Sequence, residues 1–167
     1  MRLIVADTGP VRYLIAIEQI DLLPRLFGSV AVPSVVAEEL LHPSAPRSVR
    51  AWMGRPPGRF HVRHGYDDEH SDLEGLDRGE RAAIVLGVAL KADLMLVDDR
   101  RGAAVALKKG FPVLGTLGVL DLAAEQGHVN LNDALDRLRR TNFRYRPELF
   151  DVLIRKHSRG GSRGSHE

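Results

Sequence analysis

Two short apolar runs in this chain end in aspartate: "LIVAD" delivers Asp7, and "LMLVDD" delivers Asp98 and Asp99. Two further stretches place glutamate on helix-like segments, Glu39 in "VVAEELL" and Glu80 in "LDRGERAAIVL". At about 100° per residue, the apolar direction set by Val35, Val36, Leu40 and Leu41 lies roughly 80° from Glu39 and about 180° from Glu38. Glu39 therefore borders the buried face and Glu38 points to water. Glu80 shares a face with Ala83, Ile84 and Gly87 in the first turn of a buried helix, where the helix dipole tolerates an anion. If the two apolar runs are central parallel strands, their carboxylates lie at one edge of a sheet. Three or four carboxylates gathered there repel, raise one another's pKa and destabilise the fold unless a cation sits among them. Oxygen ligands without a His or Cys cluster favour Mg²⁺ or Mn²⁺ over zinc.

Each acid also has a plainer role open to it. Asp7 and Asp98 would each cap the helix that follows, Asp77 and Glu80 match a capping box, and Glu39 would be an ordinary boundary residue. The triplet Asp7-Thr8-Gly9 occurs at the catalytic aspartate of aspartic proteases as well, but those enzymes are β-rich and this chain reads as mainly helical. No Gly-x-Gly-x-x-Gly follows the first strand and no Walker lysine loop is present; "GTLG" at 115–118 opens a helix but is alone a weak phosphate signal. A phospho-receiver domain needs paired acids after its first strand, where this chain has only Asp7.

The elements that position these residues alternate. "RLIVA" reads as a buried strand, followed by a helix through "VRYLIAIEQI" that tolerates Pro10 in its first turn, and a short helix through "DLLPRLF". "SVAV" is a strand and "PSVVAEELL" a helix with Ser34 as its N-cap. From 42 to 70 the pattern is irregular, with a strand at "RFHVRH" and one helical piece around Trp52. A buried helix over 79–91, a strand at "DLMLV", a helix closed by Gly110, a strand at "PVLG" and a helix closed by Gly127 follow, then two helices at "LNDALDRLRR" and "PELFDVLIRK". Strands separated by helices imply a parallel sheet covered on both faces, whose sites form at the carboxyl ends of the strands.

Composition sets outer limits. A chain of 167 residues is one domain's worth and buries roughly 70% of its unfolded surface. It has no cysteine, which excludes disulfides and thiolate metal sites and suits a reducing cytoplasm. The N-terminus lacks the charged n-region of a signal peptide, and no apolar run reaches the ~18 residues of a membrane span, so a soluble cytoplasmic protein is expected. From Arg137 to Glu167 there are nine Arg or Lys against three Asp or Glu, making that segment +6 and the remainder −4. Such asymmetry suits a nucleic-acid partner. A flexible basic tail is expected over 157–167, where Gly and Ser cannot support a core, with a single domain over 1–156.

Taken in order, "VADTGP", "VPSVVAEELL", "LDRGERAAIVLG", "LMLVDDRRGAAVA" and "GTLGVLDLA" resemble the PIN domain, and more narrowly a prokaryotic branch related to VapC-type toxins of toxin–antitoxin pairs. The resemblance covers about residues 2 to 155 and is least over 42–70. It implies a three-layer α/β/α sandwich with a mainly parallel central sheet, and a Mg²⁺- or Mn²⁺-dependent endoribonuclease acting on single-stranded or structured RNA. The family's acidic positions fall on Asp7, Glu39, Glu80 and Asp98, with Asp99 as the alternative fourth ligand and Thr8 matching a hydroxyl residue common beside the first. The third acid is glutamate where many relatives carry aspartate. The resemblance also implies a small antitoxin partner and a homodimer. The apolar residues Tyr13, Leu14, Ile17, Ile20, Leu22 and Leu23 exceed what one face of a small sheet covers, which places the dimer contact on the first two helices. Arg78, Arg100, Arg101 and Lys108 are candidates for holding flanking phosphates. The competing reading is a catalytically silent RNA-binding or assembly module of the same fold, for which an incomplete acid set is expected. A DNA-directed nuclease would share the metal site but need a longer substrate clamp.

Overall fold

The computed structural model describes residues 2–66 and 73–160; positions 1, 67–72 and 161–167 lie outside the described residues, and with them the end of the irregular stretch and most of the expected tail. The elements run β1 (Arg2–Ala6), α1 (Thr8–Ala16), α2 (Leu22–Phe27), β2 (Gly28–Pro33), α3 (Ser34–Leu41), α4 (Arg47–Gly54) and β3 (Phe60–Arg63). They continue with α5 (Arg78–Leu90), β4 (Leu94–Leu96), α6 (Arg100–Lys108), β5 (Val113–Leu114), α7 (Thr116–Glu125), α8 (Leu131–Arg139) and α9 (Pro147–Gly160). The five strands form one parallel sheet in the order β3-β2-β1-β4-β5.

Side chains alternate across each strand, so a sheet buried on both faces needs apolar residues at nearly every strand position. Ile4, Ala6, Val30, Val32, Leu94 and Leu96 face one core, shared with α1, α2, α4, α7 and α8. Val5, Ala31, Met95 and Val97 face a second core with α5 and α6. The three-layer α/β/α sandwich follows directly. Because β1 is flanked by β2 on one side and β4 on the other, the chain leaves β1 toward one half of the sheet and returns from the other. The crevice of such a sheet opens where the order reverses, at the carboxyl ends of β1 and β4.

Local departures from expectation have physical causes. Ser34 is not the N-cap: β2 stays paired through Pro33, opposite Arg63, so the chain is still extended at Pro33, which takes the cap position, and becomes helical at once with Ser34 in the first turn. The strand at "PVLG" contracts to Val113–Leu114. The last helix, α9, continues to Gly160, into the segment expected to be tail; His157 Nε2 and Lys156 Nζ reach Asp121 on α7 at 2.8 and 2.9 Å and hold that turn down.

The apolar surplus of the first two helices also has a different explanation. Leu14, Ile17, Ile20, Leu22 and Leu23 are buried within the chain itself, in one core with Leu120, Leu135 and Leu138 of α7 and α8. The late helices cover what the early ones leave open, so these residues present no face to a second copy. Leu23→Ala should accordingly cost ~2–5 kcal/mol in urea unfolding, as for a fully buried leucine.

Candidate active site

β1 ends by hydrogen bonding to β4: the Asp7 amide donates to the Leu96 carbonyl at 3.0 Å, which fixes Asp7 at the mouth of the crevice. The Asp7 side chain is buried and makes no capping bond into α1, so the plain capping role is not the one it takes. Burial pushes its carboxyl up to about 7; the Thr8 amide opposes the shift, and the charges of Asp77, Glu80 and Glu39 add to it.

Thr8, the next residue, reaches across to α3, where its hydroxyl donates to the Glu39 carboxylate. The same carboxylate lies against the backbone of Gly79 at the start of α5, where a Cβ would come within 2.8 Å of Glu39 Oε1. A side chain at 79 would require the Glu39 carboxylate to shift. Both Glu38 and Glu39 are exposed, yet the helical phase separates them as expected: Glu39 turns to α1 and α5, and Glu38 turns outward to Arg78, 3.6 Å away.

Glu80 is buried and fulfils its plain role as well. Its amide donates to Asp77 Oδ1 at 2.8 Å, and the Asp77 amide donates back to Glu80 Oε2 at 3.1 Å, a complete capping box. Burial, and then the nearby charge of Asp77, push the Glu80 carboxyl up to about 7, with Asp99 contributing.

The adjacent pair at the end of β4 divides. Asp99 is exposed and caps α6, accepting from the Gly102 amide at 3.0 Å. Asp98 turns inward to the first residue of α7: the Thr116 amide donates to Oδ1 at 2.6 Å and the Thr116 hydroxyl to Oδ2 at 2.7 Å. Its carboxyl is raised by burial, and both Thr116 bonds oppose that rise. A Cβ on Gly115 would meet Asp98 Oδ1 at 2.7 Å, and one on Gly9 would meet Oδ2 at 3.3 Å, so Asp98 fills the gap between the first turns of α1 and α7.

The four acids form a linked series along one edge: Asp98 against the α1 turn that carries Asp7 and Thr8, Thr8 bonded to Glu39, and Glu39 against the turn that carries Glu80. They are neighbours rather than a finished cage. Among the described residues no group of three Asp, Glu or His side chains converges in ligand geometry, since Glu39, Glu80 and Asp98 are each turned to a protein donor.

Of the four basic candidates, only Arg100 lines the cavity that opens beside Asp98. Arg78 pairs with Glu38, Arg101 donates to the Gly75 carbonyl at 3.3 Å, and Lys108 ends α6 at its opposite terminus. Sequence reasoning missed Thr116 altogether, as well as Arg144 and Arg146, which line the same cavity from the loop between α8 and α9. The signals present were the hydroxyl inside "GTLG" and the alternation of aromatic and arginine in "FRYR" at 143–146.

The family model DUF3368, described as PIN domain, matches residues 3–159. The chain belongs to the PIN domain family. No curated protein matches it. PIN domains are mostly nucleases and typically use divalent cations. Among the described residues, no helix is long and apolar enough to cross a membrane.

The raised carboxyls set a pH dependence. Folded Asp7 and Glu80 hold protons up to about pH 7, whereas in the unfolded chain they release them near 3.8 and 4.5. Their contribution to stability is therefore full below about pH 4 and lost as pH rises through 7. In EDTA, the unfolding midpoint should fall between pH 5 and 8, and Asp7→Asn should flatten that decline and stabilise the protein at pH 8 by ~1–3 kcal/mol. An increase in wild-type stability over that range in EDTA would show that Asp7 carries no such penalty.

Proposed function

We propose that this PIN domain is a Mg²⁺- or Mn²⁺-dependent endoribonuclease, acting in the cytoplasm on single-stranded or structured RNA as the toxin of a toxin–antitoxin pair. The observation that carries the nuclease reading is the charge arrangement: Asp7 and Asp98 leave the two strands that bound the crevice, and hydroxyl and backbone contacts bring Glu39 and Glu80 to the same edge. Asp7 and Glu80 are held at about 7 by burial and by neighbouring acids, a cost that a divalent cation offsets. The donor set fits such an ion, because every candidate ligand is a carboxylate oxygen. Asp7, Glu39, Glu80 and Asp98 would hold it. Asp99, engaged as the α6 cap, is the weaker candidate.

When bound, the cation polarises a phosphate and lowers the pKa of water. The chain supplies the rest. Thr8 and Thr116 orient Glu39 and Asp98 through their hydroxyls, and the burial of Asp7 limits how far its carboxylate can swing. Arg100 places positive charge beside Asp98, where the phosphate of a substrate strand needs it. The RNA preference and the toxin role are supported by the likeness of the five ordered segments to the VapC-related branch. A silent binding module is disfavoured because all four positions are acidic.

Purified protein should cleave single-stranded RNA with Mg²⁺ or Mn²⁺ and stop in EDTA. Asp7→Asn and Glu39→Gln should each lower the rate roughly 100-fold or more, while Glu38→Gln stays within about twofold. Equal losses for Glu38 and Glu39 would remove Glu39 from the site. Mg²⁺ at 100 times its dissociation constant should add about 2.7 kcal/mol to wild-type stability, most of it absent in Asp7→Asn. For the toxin role, expression should arrest growth, and co-expression of a short neighbouring reading frame should relieve the arrest.

A further inference from the structure

Next to the acidic edge lies a cavity of about 480 Å³, within the ~300–1,000 Å³ range of small-ligand clefts. Asp98 and Arg100 form one wall, and Arg144, Tyr145, Arg146 and Leu149 form the other. Among the described residues, none of these three arginines is paired with a carboxylate, although other surface arginines, such as Arg137 and Arg139, are. Three unpaired guanidinium groups around one cleft attract a polyanion. An acidic protein segment would satisfy the charge but not the aromatic wall.

That wall is built to stay flat and in place. The Tyr145 ring stacks on Phe150, with centroids 4.0 Å apart and planes 18° apart, and Phe150 is buried. One face of Tyr145 is thus covered by protein, while the residue remains 36% exposed and lines the cavity. The loop is fixed at its other end by Phe143, which packs edge-on against Tyr13 at 5.0 Å, and by Asn142, which accepts from the Tyr13 hydroxyl at 3.0 Å. An aromatic surface beside unpaired arginines is the arrangement that binds single-stranded nucleic acid, with bases stacking on the ring and phosphates meeting the cations.

We propose that this cleft is a nucleotide subsite: it holds one unpaired RNA nucleotide adjoining the scissile phosphate, with its base on Tyr145 and its flanking phosphates on Arg100, Arg144 and Arg146. The assignment of a scissile phosphate beside it rests on the nuclease reading above, whereas RNA binding in the cleft does not. The subsite selects unpaired strands, because a base inside a duplex has no free face to offer Tyr145.

Fluorescence anisotropy with a labelled single-stranded RNA, in EDTA so that no cleavage occurs, separates the two. Tyr145→Ala should weaken binding by about 5- to 100-fold, and Tyr145→Phe should stay near wild type. Replacing one nucleotide at a time with an abasic residue should identify a single position at which the abasic strand binds Tyr145→Ala and wild type alike. A merely structural role for the ring would produce no such position. Arg144→Gln with Arg146→Gln, both at exposed sites, should reduce the slope of log affinity against log salt by roughly 0.7 for each phosphate that no longer meets a guanidinium, a readout that survives if Tyr145→Ala does not fold. RNA binding that depends on Tyr145 without any cleavage in Mg²⁺ or Mn²⁺ would sink the nuclease reading and leave the subsite standing. Cleavage with binding indifferent to the tyrosine and arginine changes would overturn the subsite alone. No RNA binding, or displacement of RNA by polyglutamate as readily as by unlabelled RNA, would also overturn it.

Discussion

Like charges crowded at the edge of one parallel sheet are the constraint around which this molecule is organised. Asp7 and Asp98 are carried there by the strands themselves, and the sheet order leaves no other place for them. Glu39 and Glu80 are added from two helices packed beside the crevice. Asp7, Glu80 and Asp98 are desolvated in part and pair with no cation among the described residues, and their raised carboxyls record that cost. The structure tolerates it by supplying neutral donors: two threonine hydroxyls, the Asp77 amide at the start of α5 and the Thr116 amide at the start of α7. Neutral donors orient a carboxylate and still leave its charge free to act, which a lysine or arginine in the same position would cancel.

Close backbone approach does the rest. Glycine at 79 and at 115 lets a carboxylate lie where a side chain would otherwise stand, so acids from separate elements share one small volume. The two cores on either side of the sheet serve the same end, since they fix α1, α3, α5 and α7 against β1 and β4 to within the tolerance that such contacts need. Arg144 and Arg146, by contrast, line the neighbouring cleft from the loop between α8 and α9, and Arg100 lines it close to Asp98.

The placement of Asp7 and Asp98 at one sheet edge was legible in the sequence because an apolar run that stops at an aspartate states both the burial of a strand and the position of its end. Helical phase was enough to tell Glu39 from Glu38, although both are exposed. Asp98 and Asp99 remained equivalent on that basis: adjacent residues leaving a strand point to opposite sides, and which side matters depends on Thr116, 18 positions later. Thr116 acquires its role from the placement of β5 beside β4, which no local pattern states. The apolar residues of α1 and α2 could be counted in the sequence but not assigned to the core, because the helices that cover them, α7 and α8, come about a hundred residues later. The arginine and tyrosine wall was read only as net charge for a similar reason: it belongs to a loop whose position follows from the packing of Phe143 and Phe150.

The placement of the first strand at the centre of the sheet has a temporal consequence. Chains emerge from the ribosome from the N-terminus, and contacts distant in sequence form late. β1 can pair with β2 as soon as residue 33 has been made, but its other edge waits for β4 at 94–96. Asp98 cannot be seated until Thr116 has also been made. The acidic edge is therefore the last part of the sheet region to be completed during synthesis. A nascent chain long enough to hold Asp7 and Glu39 still lacks Glu80, Asp98 and the Thr116 hydroxyl, so the four acids come together only after most of the chain has been translated.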